Sequence, residues 1–180
     1  NAYVVAQEVM FKLLDPYKTL GKPAYVKFLQ NVKEIIDSVH TCAFTQFAYM
    51  LEPPLVKYTP KPLLALLMQY MHPIAIQLID YSLYPRMWSA ITGIKMSNKE
   101  IFKAGERIYV LERYMNTREG ISAIDDTLPD KLLKEFRSSD TKRKTIPLGK
   151  MLTSFYKLRG FDENGIPTEK TLKKLGIGVN

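Results

Sequence analysis

Apolar residues recur at three- and four-residue spacings along most of the chain, and period-2 alternation is scarce, so the pattern predicts helices nearly throughout. A first helix is predicted over 3–14, stopping before Asp15-Pro16. Gly21-Lys22-Pro23 restarts the chain, with Pro23 suited to a first helical turn. The second helix is predicted over 24–39, with Val26, Leu29, Val32, Ile35 and Ile36 sharing one face. A short helix over 43–50 leads into an irregular stretch framed by Pro53-Pro54 and Pro60-Lys61-Pro62. Apolar helices over 63–71 and 74–81, broken at Pro73, and another over 85–91 follow.

The clearest start signal is Ser97-Asn98-Lys99-Glu100, a capping box in which each side chain satisfies an otherwise orphaned backbone N–H. The helix it opens runs through Ile101, Gly105, Ile108, Leu111 and Met115 to about Arg118, with Gly120 as its stop. Asp125-Asp126-Thr127-Leu128-Pro129 reads as a turn into a short helix, and 137–144 as a charged, exposed loop. Helix returns over 148–159 and ends at Gly160. Asp162-Glu163-Asn164-Gly165 is a turn, Thr168 caps a last helix, and Gly176 ends it. The expectation is an all-α, multi-helix bundle: residues 1–180 form one helical domain, with 121–180 as a satellite helical tail packed on it.

Composition narrows the classes. The chain has 180 residues, 46% of them apolar, which suits one compact domain and excludes a disordered tail. The apolar run over 63–83 contains His72, Pro73, Gln69, Gln77 and Asp80, a poor membrane span. The net charge of +8 is spread along the chain, and the densest run, Lys142-Arg143-Lys144, has no interleaved aromatic, so a nucleic-acid partner is not expected. The chain starts at Asn1 with no basic leader region, and its first residues already read as buried helix. It is therefore expected to be a piece of a longer polypeptide.

One Cys excludes an internal disulfide, and with two His it makes a self-contained zinc site unexpected. Asp37 and Cys42 are the first chemical candidates. A helix end followed by a turn can aim a carboxylate and a soft thiolate into one crevice, although a lone Cys also serves as a small core hydrophobe. An iron–sulfur cluster needs four thiolates, so three would come from elsewhere. His72, before Pro73, reads as a core or capping histidine. Glu112-Arg113 and Arg118-Glu119 read as a solvated helix face with modest ion pairs, the sharper alternative being an arginine-bearing interface.

Two segments carry a resemblance. Gly105-Glu106-Arg107-Ile108-Tyr109-Val110-Leu111-Glu112-Arg113-Tyr114-Met115-Asn116-Thr117-Arg118-Glu119-Gly120, followed by Asp125-Asp126-Thr127-Leu128-Pro129, is one. Tyr156-Lys157-Leu158-Arg159-Gly160-Phe161-Asp162-Glu163-Asn164-Gly165-Ile166-Pro167-Thr168 is the other. Both resemble the C-terminal region of the aldehyde:ferredoxin oxidoreductase family of tungsten-pterin enzymes, and the stretch from Gly21-Lys22 to Cys42-Ala43-Phe44 resembles its cofactor-binding segment. In the family, an Asp that helps hold a pterin is followed, after two residues, by Gly-Leu-Cys, the Cys being the fourth ligand of a 4Fe–4S cluster. Here the positions read Asp37-Ser38-Val39-His40-Thr41-Cys42, with His40-Thr41 in place of Gly-Leu, and Val110 stands where the family carries Asn.

The resemblance implies the third, helical domain of a cytoplasmic enzyme about three times longer. That enzyme oxidises aldehydes to carboxylic acids at a tungstopterin (or molybdopterin) centre and passes electrons through the cluster to ferredoxin. Asp37, His40 and Thr41 would lie at the pterin, Cys42 would bind the cluster, and no catalytic residue is assigned. The implied partners are the enzyme's N-terminal domains, ferredoxin, whose usual acidity the +8 charge would complement, and the aldehyde substrate. A homo-oligomer is compatible, and the isolated chain is expected to hold no cofactor and to be inactive. The alternative is a non-catalytic helical binding module, an offshoot that has lost its cofactor.

Overall fold

The computed structural model describes residues 17–42, 58–77, 79–136 and 144–178, apart from the side chains of Lys61, Leu64, Ala65, Met68, Gln69 and His72. The helices expected over 3–14 and 43–50, most of the charged loop and the role of the His72 side chain lie outside the described residues. Within them the helices are α1 (Lys22–Ser38), α2 (Lys61–Tyr70), α3 (His72–Gln77), α4 (Leu83–Thr92), α5 (Asn98–Arg118), α6 (Asp130–Lys134), α7 (Leu148–Arg159) and α8 (Glu169–Leu175). No strand forms among the described residues; Phe161 and Pro167 make an isolated antiparallel bridge. The chain is all-α, as its periodicity predicts.

Local chemistry places the helix ends. Ser97 Oγ accepts the Glu100 N–H at 3.3 Å while the Glu100 carboxylate accepts the Ser97 N–H at 2.8 Å, completing the capping box of α5. Removing this cap by Ser97→Ala should cost about 1 kcal/mol, and an unshifted thermal midpoint would show that the box contributes nothing. Gly160 and Gly176 close α7 and α8 in the left-handed region, and Thr168 caps the start of α8. Pro73 is not the break between α2 and α3. The break is Met71, and Pro73 sits in the first turn of α3, where a missing N–H costs nothing.

Two cores are built around α1 and α5. In the first, Phe28, Val32, Ile35 and Ile36 of α1 meet Tyr84 and Ile101, with Phe28 stacked on Phe102 at 5.6 Å. Their spacing of four, three and one is that of a single helix face. The face is rotated from the one the apolar pattern predicts: Val26 and Leu29 are 44% and 45% exposed, and Asn31 is fully buried in their stead. In the second core, Val110 of α5 packs with Tyr156, Phe161, Leu172, Leu175 and Ile177. Val110 is fully buried, so an apolar side chain suits it.

Between the two cores, α1 and α5 lie so close that a Cβ on Gly105 would sit 2.4 Å from the Asn31 carbonyl oxygen. The same seam carries an ion pair, Lys27 with Glu106 at 2.5 Å, and a hydrogen bond from Gln30 Nε2 to Tyr109 Oη at 3.0 Å. No helix among the described residues is long and apolar enough to cross a membrane.

Candidate functional site

The segment from Asp37 to Cys42 is the end of α1 and the hook beyond it. His40 has φ 55, the left-handed conformation that ordinarily favours glycine, though histidine is among the side chains that tolerate it best. Two backbone bonds close the hook: the Thr41 N–H donates to Ile36 O at 3.1 Å, and the His40 N–H to Asp37 O at 3.2 Å. This pair is the Schellman pattern, with His40 in the position usually held by Gly. Thr41 Oγ1 also reaches Ile36 O at 3.3 Å, so the hook hangs from a fully buried residue of the first core.

Asp37, His40 and Cys42 are all exposed, and Thr41 is half-buried. The Asp37 carboxylate takes an ion pair from Lys33, with Nζ to Oδ1 at 2.5 Å. One turn back, burial raises the Glu34 carboxyl pKa, and the neighbouring Glu112 and Asp37 carboxylates raise it further. Lys33 pairs with Asp37 and works against this rise at Glu34.

Further along α1 lies an arrangement the apolar pattern does not disclose. Arg159, at the end of α7, is 2% exposed. It donates to Asn31 Oδ1 at 2.6 Å, Gln30 Oε1 at 2.8 Å and the Lys27 carbonyl at 3.2 Å, and its guanidinium lies 4.0 Å from the centre of the Tyr109 ring. Burial pushes its pKa down to about 10, so it keeps its charge at neutral pH. Asn31 Nδ2 and Arg159 Nε are buried with no partner among the described residues.

A second network ties α5 to the tail. Arg113 donates Nε to Gly165 O at 2.9 Å and makes a paired contact to Asp126, Nη1 to Oδ1 at 2.9 Å and Nη2 to Oδ2 at 2.6 Å. The Tyr156 hydroxyl donates to the same Asp126 carboxylate. Burial works against the Arg113 charge, but the hydrogen bonds and charge of Asp126 outweigh it and hold its pKa above the ordinary value. Burial, then the hydrogen bond and charge of Asp126, raise the Tyr156 pKa. This corrects the expected solvated face: Glu112 and Arg118 are exposed, but Arg113 points inward and fixes the 122–128 turn.

Residues 1–177 match the family model described as aldehyde ferredoxin oxidoreductase, domains 2 and 3. The chain belongs to the aldehyde ferredoxin oxidoreductase family. It is 41% identical to the tungsten-containing aldehyde ferredoxin oxidoreductase of Pyrococcus furiosus and 38% identical to that of Pyrococcus abyssi, in each case over 97% of this chain and 25% of the relative. The corresponding protein of Thermococcus kodakarensis is 40% identical over the same shares. The chain thus spans about a quarter of the length of these relatives. A solved structure, the active site complex BamBC of benzoyl coenzyme A reductase in complex with 1,5-dienoyl-CoA, is 31% identical, covers 56% of this chain and 14% of its own, and has a TM-score of 0.45.

His40, where the resemblance leads one to expect a glycine, adopts a glycine-like backbone. Among the described residues no three His, Cys, Asp or Glu side chains converge on a point that could hold a metal ion. Cys42 offers one exposed thiol just beyond the hook, a donor that would suit a cluster, and the Asp37 carboxylate is held by Lys33. The remaining donors of such a centre are not found among the described residues.

Arg159 and Asn31 escape a reading of the sequence because a basic residue in the last turn of a helix ordinarily complements the helix dipole in solvent. A polar residue between apolar ones on α1 looks like the edge of its wet face. The available signal was the position of Arg159 directly before Gly160, inside a segment already notable for its resemblance.

Proposed function

We propose that this chain is the helical C-terminal part of a longer tungsten- or molybdenum-pterin enzyme that oxidises aldehydes to carboxylic acids and delivers the electrons to ferredoxin in the cytoplasm. The observation that carries the reading is the hook: Asp37 and Cys42 are both exposed, five residues apart, on either side of a left-handed turn anchored in the core. In this reading Cys42 is a ligand of a 4Fe–4S cluster whose other thiolates come from another part of the polypeptide. Asp37, with the His40–Thr41 backbone, contacts a pterin.

The overall reaction converts an aldehyde and water to a carboxylate, two electrons and three protons. When bound, the pterin metal centre supplies the two-electron oxidation and the cluster the outward electron path. The residues of this chain orient and insulate. The Schellman end of α1 holds the thiol of Cys42 at a set exit from the helix, and Lys33 neutralises and positions Asp37. The 180 residues fold as one helical unit whose 121–180 segment packs on α1 and α5. They are inactive without the rest of the enzyme, and a homo-oligomer is compatible with these roles.

The test is Cys42→Ala in the full-length polypeptide, followed by iron analysis and electron paramagnetic resonance of the reduced protein. The cluster signal is expected to be lost or changed in form; an unchanged signal with full iron content defeats the assignment. One observation favours a second reading, a non-catalytic module: His40-Thr41 stands where the family carries Gly-Leu. Three further cysteines in a CxxC-xxx-C arrangement upstream in the gene support the enzyme, and their absence supports the module.

A further inference from the structure

Between α5 and α7 the chain runs from Ile121 to Phe136 without a buried residue. The helices before and after it both place side chains in the second core, Val110 from α5 and Tyr156 from α7. Ile124 is 89% exposed, and α6 buries nothing. The first part of the stretch takes its shape from bonds within itself. The Ser122 N–H donates to the Asp125 carboxylate at 2.8 Å, and the Asp125 N–H to the Ser122 carbonyl at 3.1 Å.

Beyond the end of α5, the links from this stretch to the body are few and polar among the described residues. The Ala123 N–H donates to Asn164 O at 2.9 Å. The Asp126 carboxylate accepts two hydrogen bonds from Arg113 and one from Tyr156, so three of these four bonds end on one side chain. Ala123 is the residue that packs against the second core, and it is only half-buried. Hydrogen bonds to an ionised group are stronger than neutral ones, so the hold is concentrated at Asp126. Losing it need not disturb the body, because Arg113 Nε stays on Gly165 O at 2.9 Å.

Beneath the stretch lies a cavity of about 360 Å³ between α1, α5 and α7. Asp126, Thr127 and Leu128 form part of its wall, and Met151, Leu152 and Phe155 of α7 supply apolar surface. At the upstream end stands Gly120, with φ 93 and nothing within 4 Å of the place a Cβ would take. A glycine with open space around it absorbs a backbone rotation at little steric cost, which suits a hinge.

We propose that the stretch from Ile121 to Pro129 is a strap that opens about Gly120 while α5, α7 and α8 stay folded, with Asp126 as its latch, and that it controls access to the cavity beneath. Segments that open locally are those with few buried apolar contacts, and this one has the fewest links to lose. The proposal names no ligand and does not depend on Cys42 binding a cluster.

The experiment is hydrogen–deuterium exchange read by mass spectrometry on the full-length polypeptide, parent against Asp126→Asn. The substitution keeps the size of the side chain and gives up its charge. Exchange over 121–129 should quicken by about tenfold or more, with 101–118 and 148–159 unchanged. Access is read separately with Leu152→Cys, by alkylation with N-ethylmaleimide followed on the peptide that carries position 152. The introduced thiol should react slowly with the latch intact and faster by a similar factor once Asp126→Asn is added. Tyr156→Phe removes one latch bond and should give the same pattern to a smaller degree, and it serves if Asp126→Asn does not fold. Exchange that rises equally in α5 and α7 overturns the proposal, because the strap then has no opening of its own. So does exchange over 121–129 that neither variant changes, or that already runs in the parent at the rate of an unstructured chain. Alkylation at position 152 that is indifferent to the latch overturns the control of access.

Discussion

Gly105→Ala is expected to lower stability by about 3 kcal/mol and the thermal midpoint by roughly 10 °C. The sign runs against local preference, since alanine is favoured over glycine inside a helix by about 1 kcal/mol. Position 105 overrides it because the new Cβ would lie 2.4 Å from the Asn31 carbonyl oxygen and 3.1 Å from Ile35 Cγ1. The first of these is backbone and cannot swing aside. The two longest helices would have to part, loosening Ile35 and Ile101 in the first core and the Lys27–Glu106 pair beside it. Gly149, in α7 with open space around its Cα, is the internal control: there Gly149→Ala should be neutral or stabilise slightly. A midpoint for Gly105→Ala at or above that of the parent would mean that α1 and α5 are further apart than described.

The second large effect is expected at Arg159. Arg159→Met keeps most of the volume but removes three hydrogen bonds and the stack on Tyr109, and it leaves Asn31 buried with neither end of its amide paired to a side chain. The expected loss is about 3 kcal/mol. Much of it arises from orphaning Asn31, so the double variant Arg159→Met/Asn31→Leu should be more stable than Arg159→Met alone, a departure from additivity that a double-mutant cycle in denaturant reads directly. Additive losses, or a single variant as stable as the parent, would show that the seam is held by its apolar neighbours and not by this arginine.

These two positions also mark where the sequence stops being informative. Helix ends follow from local rules: a Ser with a Glu three residues on, a Thr cap, and glycines at 160 and 176 each solve a problem within one turn, and each is where the pattern puts it. The orientation of α1 is different. Val26 and Leu29 look like core and face outward because a partner 128 residues away makes Asn31 the better buried residue. Arg113 looks like a wet helix face because its acceptors, Asp126 and Gly165, lie on two separate turns. Polar burial is decided by long-range partners, and periodicity carries no record of them. At the hook, the Asp37–Cys42 spacing is legible as a motif, but the left-handed turn at His40 is not, since nothing in a histidine announces that backbone.

That turn has a consequence for assembly. The main chain is tied as far as Thr41 to the carbonyl of a fully buried isoleucine, so the backbone leading to Cys42 is held by bonds within this end of α1. If Cys42 takes the ligand role proposed for it, binding there orders only the torsions beyond Thr41, and less conformational entropy opposes it than would oppose ordering a whole loop. The end of α1 thus sets the point from which the chain leaves the first core.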